Sequence, residues 1–269
     1  MHNYPISGKN LLLILFGSSL VAATASCRPE PSETEVWEPV PAKVDPAFVS
    51  KTPPSDAIVL FDGSSLEEWC APDGSPTEWI VGEDDFMEQR GGHDLVSQRS
   101  FGDVHLYLEW MVPADVSGSG QRRGNSGVFL QGRYELQVLD NWENPTYVNG
   151  MAGSLYKQHI PLANPARQPG EWQSYEIFFK APIFDGEGEL KRPARVTALL
   201  NGILVLNNVE VLGSTTWRGR PRYEPHGHDR ITIQKHGSTS GMRFRNIWVR
   251  ELNEYIPMTD GIIGGKRQL

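Results

Sequence analysis

The chain has 269 residues and a formal net charge of −8, with 27 glycines, 20 prolines, 10% aromatic residues and two cysteines. That charge disfavours a nucleic-acid partner, which needs a basic surface. The glycine and proline content favours short strands and turns over long helices, and no Walker loop, dinucleotide fingerprint, zinc-type cysteine pair or His-Glu-x-x-His occurs.

Residues 1–26 read as a targeting segment. Lys9 precedes an apolar run at 11–23, shorter than the ~20 residues a spanning helix needs. Thr24, Ala25 and Ser26 then lead into Cys27. This resembles a bacterial lipobox, with Thr24 where Leu is usual. The resemblance implies a lipid on Cys27 and a location in the cell envelope, anchored to the membrane; an ordinary secretory signal is the alternative. Residues 27–56 are rich in Pro and Glu, and proline at this density stiffens a chain and prevents ladder hydrogen bonding, so they read as an extended tether. With Cys27 at the boundary of that tether, a disulfide to Cys70 is discounted, and Cys70 reads as a small apolar residue.

The segment 57–252 is ample for one all-β domain, and 253–269 reads as a C-terminal extension. Segments 58–61, 106–112, 127–130, 134–139, 174–180, 195–200, 203–205, 230–234 and 241–250 carry the alternation of strands. Asn201-Gly202 between two apolar runs is a hairpin signal. Many strands at close spacing predict a sandwich or barrel.

The most informative stretch is 124–141. Tyr134, Leu136 and Val138 share one face of a strand; Glu135, Gln137 and Leu139 share the other. A carboxylate and an amide projecting together suit a sugar-like ligand. The same period places Leu106, Leu108 and Trp110 inward, with Tyr107 and Glu109 toward the cleft. It places Ile231 and Ile233 inward, with Thr232, Gln234 and His236 outward. The register thus converges on Glu109, Glu135, Gln137, Gln234 and His236, and a slip of one residue would reverse it. The plain alternative is the wet face of an antiparallel sheet. His236 is attractive because imidazole exchanges protons near neutrality. Asn125 shapes the turn and is a binding candidate; Asp140 could cap a loop or ligate. His226-x-His228 alone is a poor metal site. Arg122-Arg123 reads as a solvated loop, and Trp79, Trp142 and Trp172 as stacking platforms or packing.

Several motifs follow one another in order: Phe61-Asp62-Gly63 with Leu66 and Trp69; Phe101-Gly102-Asp103 before Leu106–Trp110; Pro169-Gly170-Glu171-Trp172; Leu200-Asn201-Gly202; Ile233–Gly237; and Phe244-Arg245-Asn246-Ile247. Together with 124–141 they resemble the 3-keto-disaccharide hydrolase domain family. The resemblance implies a concanavalin-like jelly roll of two antiparallel sheets, acting on glycosides whose C3 hydroxyl has become a ketone. On that chemistry His236 is the preferred base for the C2 proton, with Glu135 orienting it or acting as a second proton-transfer group. Lys157, after Leu155-Tyr156, or a divalent metal held by oxygens such as Glu135 and Asp140, would stabilise the enolate. Direct hydrolysis between two carboxyls, Glu109 and Glu135, is a variant. A non-catalytic lectin-like carbohydrate-binding module is the alternative of a different kind.

Overall fold

The structure is a computed structural model that describes residues 30–38, 40, 53–237 and 241–252. Cys27, the targeting segment and the C-terminal extension lie outside the described residues. In chain order the strands are β1 (Ile58–Phe61), β2 (Trp69–Cys70), β3 (Ile80–Val81), β4 (Met87–Glu88), β5 (Leu95–Phe101), β6 (Val104–Met111), β7 (Ser126–Leu130) and β8 (Tyr134–Val138). They continue with β9 (Trp172–Lys180), β10 (Ile183–Phe184), β11 (Leu190–Arg192), β12 (Arg195–Leu200), β13 (Ile203–Glu210), β14 (Asp229–Ile233) and β15 (Arg243–Glu251).

These form a jelly-roll sandwich of two antiparallel sheets. The larger runs β13-β12-β9-β6-β15-β4-β3, with β1 also paired to β15; the smaller runs β2-β5-β14-β7-β8; β10 and β11 make a separate hairpin. The inner faces meet in one hydrophobic cluster. Leu106, Leu108, Trp110, Tyr175, Ile177, Phe179 and Phe244 come from the larger sheet, and Val128, Leu130, Tyr134, Leu136, Val138, Ile231 and Ile233 from the smaller. Fully burying an apolar side chain of this size stabilises by roughly 1.5–3 kcal/mol. A one-residue slip in β8 would expose three such groups and drive Glu135 and Gln137 into the core, so the register is strongly fixed.

The β12–β13 hairpin turns on Asn201 and Gly202, both left-handed at φ +53° and +80°. That is the backbone a two-residue hairpin turn requires. β13 extends well past the expected 203–205, across register shifts against β12. Alternation fails to reveal β5 because Ser97, Gln98, Arg99 and Ser100 are consecutive polar residues. Ser97 is nevertheless buried. Its Oγ accepts the Ile231 N–H at 3.0 Å and donates to the Arg99 carbonyl at 2.7 Å. Leu139, expected on the outer face with Glu135, is in the core, because β8 ends at Val138. Within the proline-rich stretch, Pro31–Thr34 form a 3-10 turn, and the segment through Trp37 lies against the domain rather than standing clear of it.

Candidate active site

The inward set Tyr134, Leu136 and Val138 leaves Glu135 and Gln137 on the outer face of the smaller sheet, since successive strand side chains alternate. β7 pairs with β8 so that Phe129 stands opposite Glu135 and Gly127 opposite Gln137. On the other side of β7 lies β14, and the chain leaving β14 at Ile233 delivers Gln234 and His236. Gln234 is held by its backbone: its N–H donates to the Gly127 carbonyl at 2.9 Å. Its carbonyl accepts from Gln89 Nε2 at 2.6 Å and Ser126 Oγ at 2.7 Å.

These residues line one cleft of about 450 Å³ together with Asn125, Gln121, Phe129, Tyr147, Tyr156, Thr215 and Trp217. Gly127 makes room for the carboxyl. A Cβ there would lie 2.5 Å from Glu135 Oε1 and 3.0 Å from the Phe129 ring. Glu135 is 5% exposed, and its carboxyl finds no hydrogen-bond partner among the described residues. Gln137 Nε2 donates to Asn125 Oδ1 at 3.1 Å, and Asn125 Nδ2 donates to the Gln121 carbonyl at 2.8 Å. Gln137 Oε1 is buried without a hydrogen bond. A buried acceptor left open in a cleft lined by polar groups is suited to a ligand hydroxyl.

The opposing wall comes from loops. The hydroxyls of Tyr147 and Tyr156 are 2.7 Å apart, and the Lys157 ammonium lies 5.3 Å and 5.8 Å from their ring centroids. Lys157 therefore stands beside the tyrosine pair rather than among the lining residues. Its Nζ donates to the carbonyls of Pro31 at 2.9 Å and Trp217 at 3.0 Å. Trp217 is 60% exposed at the rim, with the Arg218 guanidinium 4.4 Å from its ring centroid. Thr215 Oγ1 accepts the Glu135 N–H at 2.9 Å.

Of the residues expected to converge, the structure brings together Glu135, Gln137, Gln234 and His236, with the binding candidate Asn125 beside them. It does not bring Glu109. β6 belongs to the other sheet, so its outward face looks away from the cleft. Glu109 is bonded there to Arg245 Nε at 2.7 Å, to the Tyr107 hydroxyl at 3.0 Å and to Asn246 Nδ2 at 3.3 Å. The expected Glu109–Glu135 pair is therefore not formed. Asp140, a candidate metal ligand with Glu135, is committed to Arg123 at 2.6 Å and caps the Trp142 N–H at 2.9 Å. Arg123 is accordingly an ion-pair partner, not a solvated loop residue. Among the described residues no group of three or more His, Cys, Asp and Glu is placed to hold a metal ion. His226 bonds the Tyr134 hydroxyl at 2.6 Å, away from the cleft. Trp79 is core against Phe244, and Trp172 lies under Arg245.

Residues 56–250 match the family described as the 3-keto-alpha-glucoside-1,2-lyase-like domain. The chain belongs to this family. A crystal structure from Parabacteroides distasonis ATCC 8503, provisionally described as a glycosyl hydrolase, is 45% identical to it with a TM-score of 0.73. That match covers 82% of this chain and 96% of the other. A second structure from the same organism, described in the same way, is 22% identical with a TM-score of 0.55, covering 74% and 94%; it shares the fold. No match is found among curated proteins.

The electrostatics of this family member's cleft separate its carboxyl from its imidazole. Burial, reinforced by the nearby Asp94 carboxylate, pushes the Glu135 carboxyl up to about 8. Burial, reinforced by the Lys235 charge, pushes the His236 imidazole below its ordinary value of 6.5. At neutral pH the carboxyl is thus a proton donor and the imidazole a proton acceptor. Two titratable groups whose environments drive them apart are the usual arrangement of an acid and a base in one site. Burial also holds the tyrosine pair neutral, pushing Tyr156 up to about 12 and Tyr147 further, so both remain hydrogen-bond donors.

Sequence periodicity supplies the sheet residues of the cleft but not its loop residues. Tyr147, Tyr156, Thr215 and Trp217 lie in segments without regular alternation. The one signal for the rim is local, a Trp following two threonines in a polar loop.

Proposed function

We propose that this protein is a carbohydrate-active enzyme that cleaves 3-keto-glycosides by elimination across C1–C2, followed by hydration. The observation that carries this reading is that the His236 imidazole and the buried Glu135 carboxyl line one cleft. The membership of the 3-keto-alpha-glucoside-1,2-lyase-like family and the glycosyl hydrolase description of a 45% identical relative support the substrate class.

A C3 ketone acidifies the C2–H bond. His236 takes the C2 proton, and the electron pair of that bond delocalises onto the C3 oxygen as an enolate. One tyrosine hydroxyl of the Tyr147–Tyr156 pair donates to the other, which leaves the second hydrogen to point at that oxygen; such a preplaced donor acts where charge develops. The Lys157 ammonium beside the two rings favours the same negative charge. The enolate then re-forms its carbonyl, the C1–C2 double bond forms and the C1–O bond breaks. The departing oxygen takes the Glu135 proton and leaves as an alcohol. Glu135 is now a carboxylate and His236 an imidazolium, so the pair is set for the reverse roles. Glu135 removes a proton from water adding at C1, and His236 returns a proton to C2. The net change is hydrolysis to a free 3-keto sugar. Gln137 Oε1 accepts a ring hydroxyl and, with Asn125, fixes the sugar's orientation; no step is routed through a metal.

The test is incubation of the protein with a 3-keto-glucoside, with and without chelator, and product analysis by mass. A product one water lighter than the free sugar, or the free 3-keto sugar itself, supports the reading. An untouched substrate that still binds would favour the lectin-like alternative. The reading also includes an envelope location through Cys27: Cys27→Ser should release the protein from membranes after a high-salt wash, and retention would contradict it.

A further inference from the structure

We infer that the segment from Pro31 to Trp37 is a positioning strap that holds the tyrosine wall of the cleft. This rests on the proposed site but not on its chemistry. The strap is tied to the wall at four hydrogen bonds. The Pro31 carbonyl accepts from Lys157 Nζ at 2.9 Å. The Thr34 carbonyl accepts from Asn149 Nδ2 at 2.9 Å, and the Val36 N–H donates to Asn149 Oδ1 at 3.1 Å. The Val36 carbonyl accepts the Val148 N–H at 2.6 Å. The Trp37 ring meets the Tyr147 ring edge-on at 6.2 Å between centroids.

All of these partners sit in one short stretch of chain, 147–157, and that stretch carries both cleft tyrosines. Its later part is tied to β8, where the Tyr156 N–H donates to the Glu135 carbonyl and the Ser154 carbonyl accepts the Gln137 N–H, both at 3.0 Å. Among the described residues the part around Tyr147–Asn149 has no such pairing to a strand, and Lys157 holds a left-handed φ of +57°. The Asn149 carbonyl accepts the Lys157 N–H at 2.6 Å, so the residue that receives the strap also braces the residue beside Tyr156. Lys157 closes the arrangement by bridging strap and rim through Pro31 and Trp217. The strap contributes nothing to the hydrophobic cluster between the sheets, which begins at Leu60. Cutting it loose should therefore move the wall without unfolding the sandwich.

The test is the full chain carrying Val36→Pro together with Trp37→Ala, which removes one anchor hydrogen bond and the ring contact from the strap side only. Two readouts are taken. Hydrogen exchange of the Val148 and Lys157 amides should accelerate at least about tenfold, while exchange in β6 and β9 stays at wild-type rates. On a 3-keto-glucoside, KM should rise about tenfold, with kcat changing much less, because the wall orients substrate and small misplacements are costly. Asn149→Ala, which removes two anchors at once, should reproduce both changes. Unchanged exchange at Val148 and Lys157 in a folded double variant overturns the strap, whatever the activity. Should the wild-type protein leave 3-keto-glucosides untouched, the proposed reaction fails while the exchange result still decides the strap.

Discussion

Glu109 and Glu135 are both buried carboxyl side chains on strands of the same sandwich, 2% and 5% exposed, and they teach opposite lessons. Glu109, on β6, is surrounded by Arg245, Tyr107 and Asn246. Its charge is compensated where it sits, and Arg245 is in turn pressed on Trp172 at 4.0 Å. Glu135, on β8, has a glycine opening beside it, a carboxylate neighbour in Asp94 and, among the described residues, no cation paired with it. Burying a carboxyl without a partner raises its pKa and keeps its proton. Partnership, not burial, separates a brace from a reactive group.

Substitution at the two positions should separate them in kind. Glu135→Gln keeps shape and removes the ionisable proton, and should lower turnover of a 3-keto-glucoside by at least ~10²-fold, as should His236→Ala, the scale of one general acid–base contribution. Glu109→Gln should leave turnover near wild type but lower unfolding stability by about 2 kcal/mol, the scale of a hydrogen bond to a charged group, measured by denaturant titration. Loss of turnover at Glu109 with no loss at Glu135 would invert the comparison. Next in size, Gly127→Ala should cost about tenfold in turnover, because its Cβ must displace a carboxyl oxygen that has to be well placed. Serine there should be no better.

The pH dependence sharpens the same contrast. Activity should rise with pH as the His236 imidazole loses its proton, at a pH below the ordinary 6.5, and fall again near pH 8 as Glu135 ionises. Glu135→Gln should abolish the alkaline limb in whatever activity remains. Stability carries the same sign. The folded-state pKa of Glu135 lies above its ordinary value of 4.5, so its contribution is fully present below about pH 4.5 and is lost as pH rises through about 8. Glu135→Gln should therefore be more stable than wild type above pH 8, read as a higher denaturation midpoint, and much less distinct from it in acid. A cleft residue whose replacement costs activity and adds stability is the pattern expected of a site held at the expense of the fold.

The sheet half of this site was legible because β7 and β8 alternate cleanly. Tyr134, Leu136 and Val138 demand the core, so Glu135 and Gln137 have only one direction left. The same logic placed Glu109 outward from β6 correctly, yet could not say that β6 lies in the other sheet. Alternation reports a face, not which sheet bears it. Ser97 hides β5 because its hydroxyl is satisfied inside by Arg99 and Ile231. Tyr147 and Tyr156 were out of reach for another reason. Their wall is loop, bridged to β8 only around Leu155 and met from outside by a distant proline-rich stretch, whose composition reads as an extended tether.

The most direct test of Glu135 is to titrate its carboxyl in the folded protein, by carbon NMR of labelled glutamate with Glu135→Gln to assign the signal. A carboxyl that keeps its proton through neutrality and titrates near pH 8 is the predicted result; one that titrates near the ordinary 4.5 would contradict a buried, unpartnered acid at the centre of this cleft.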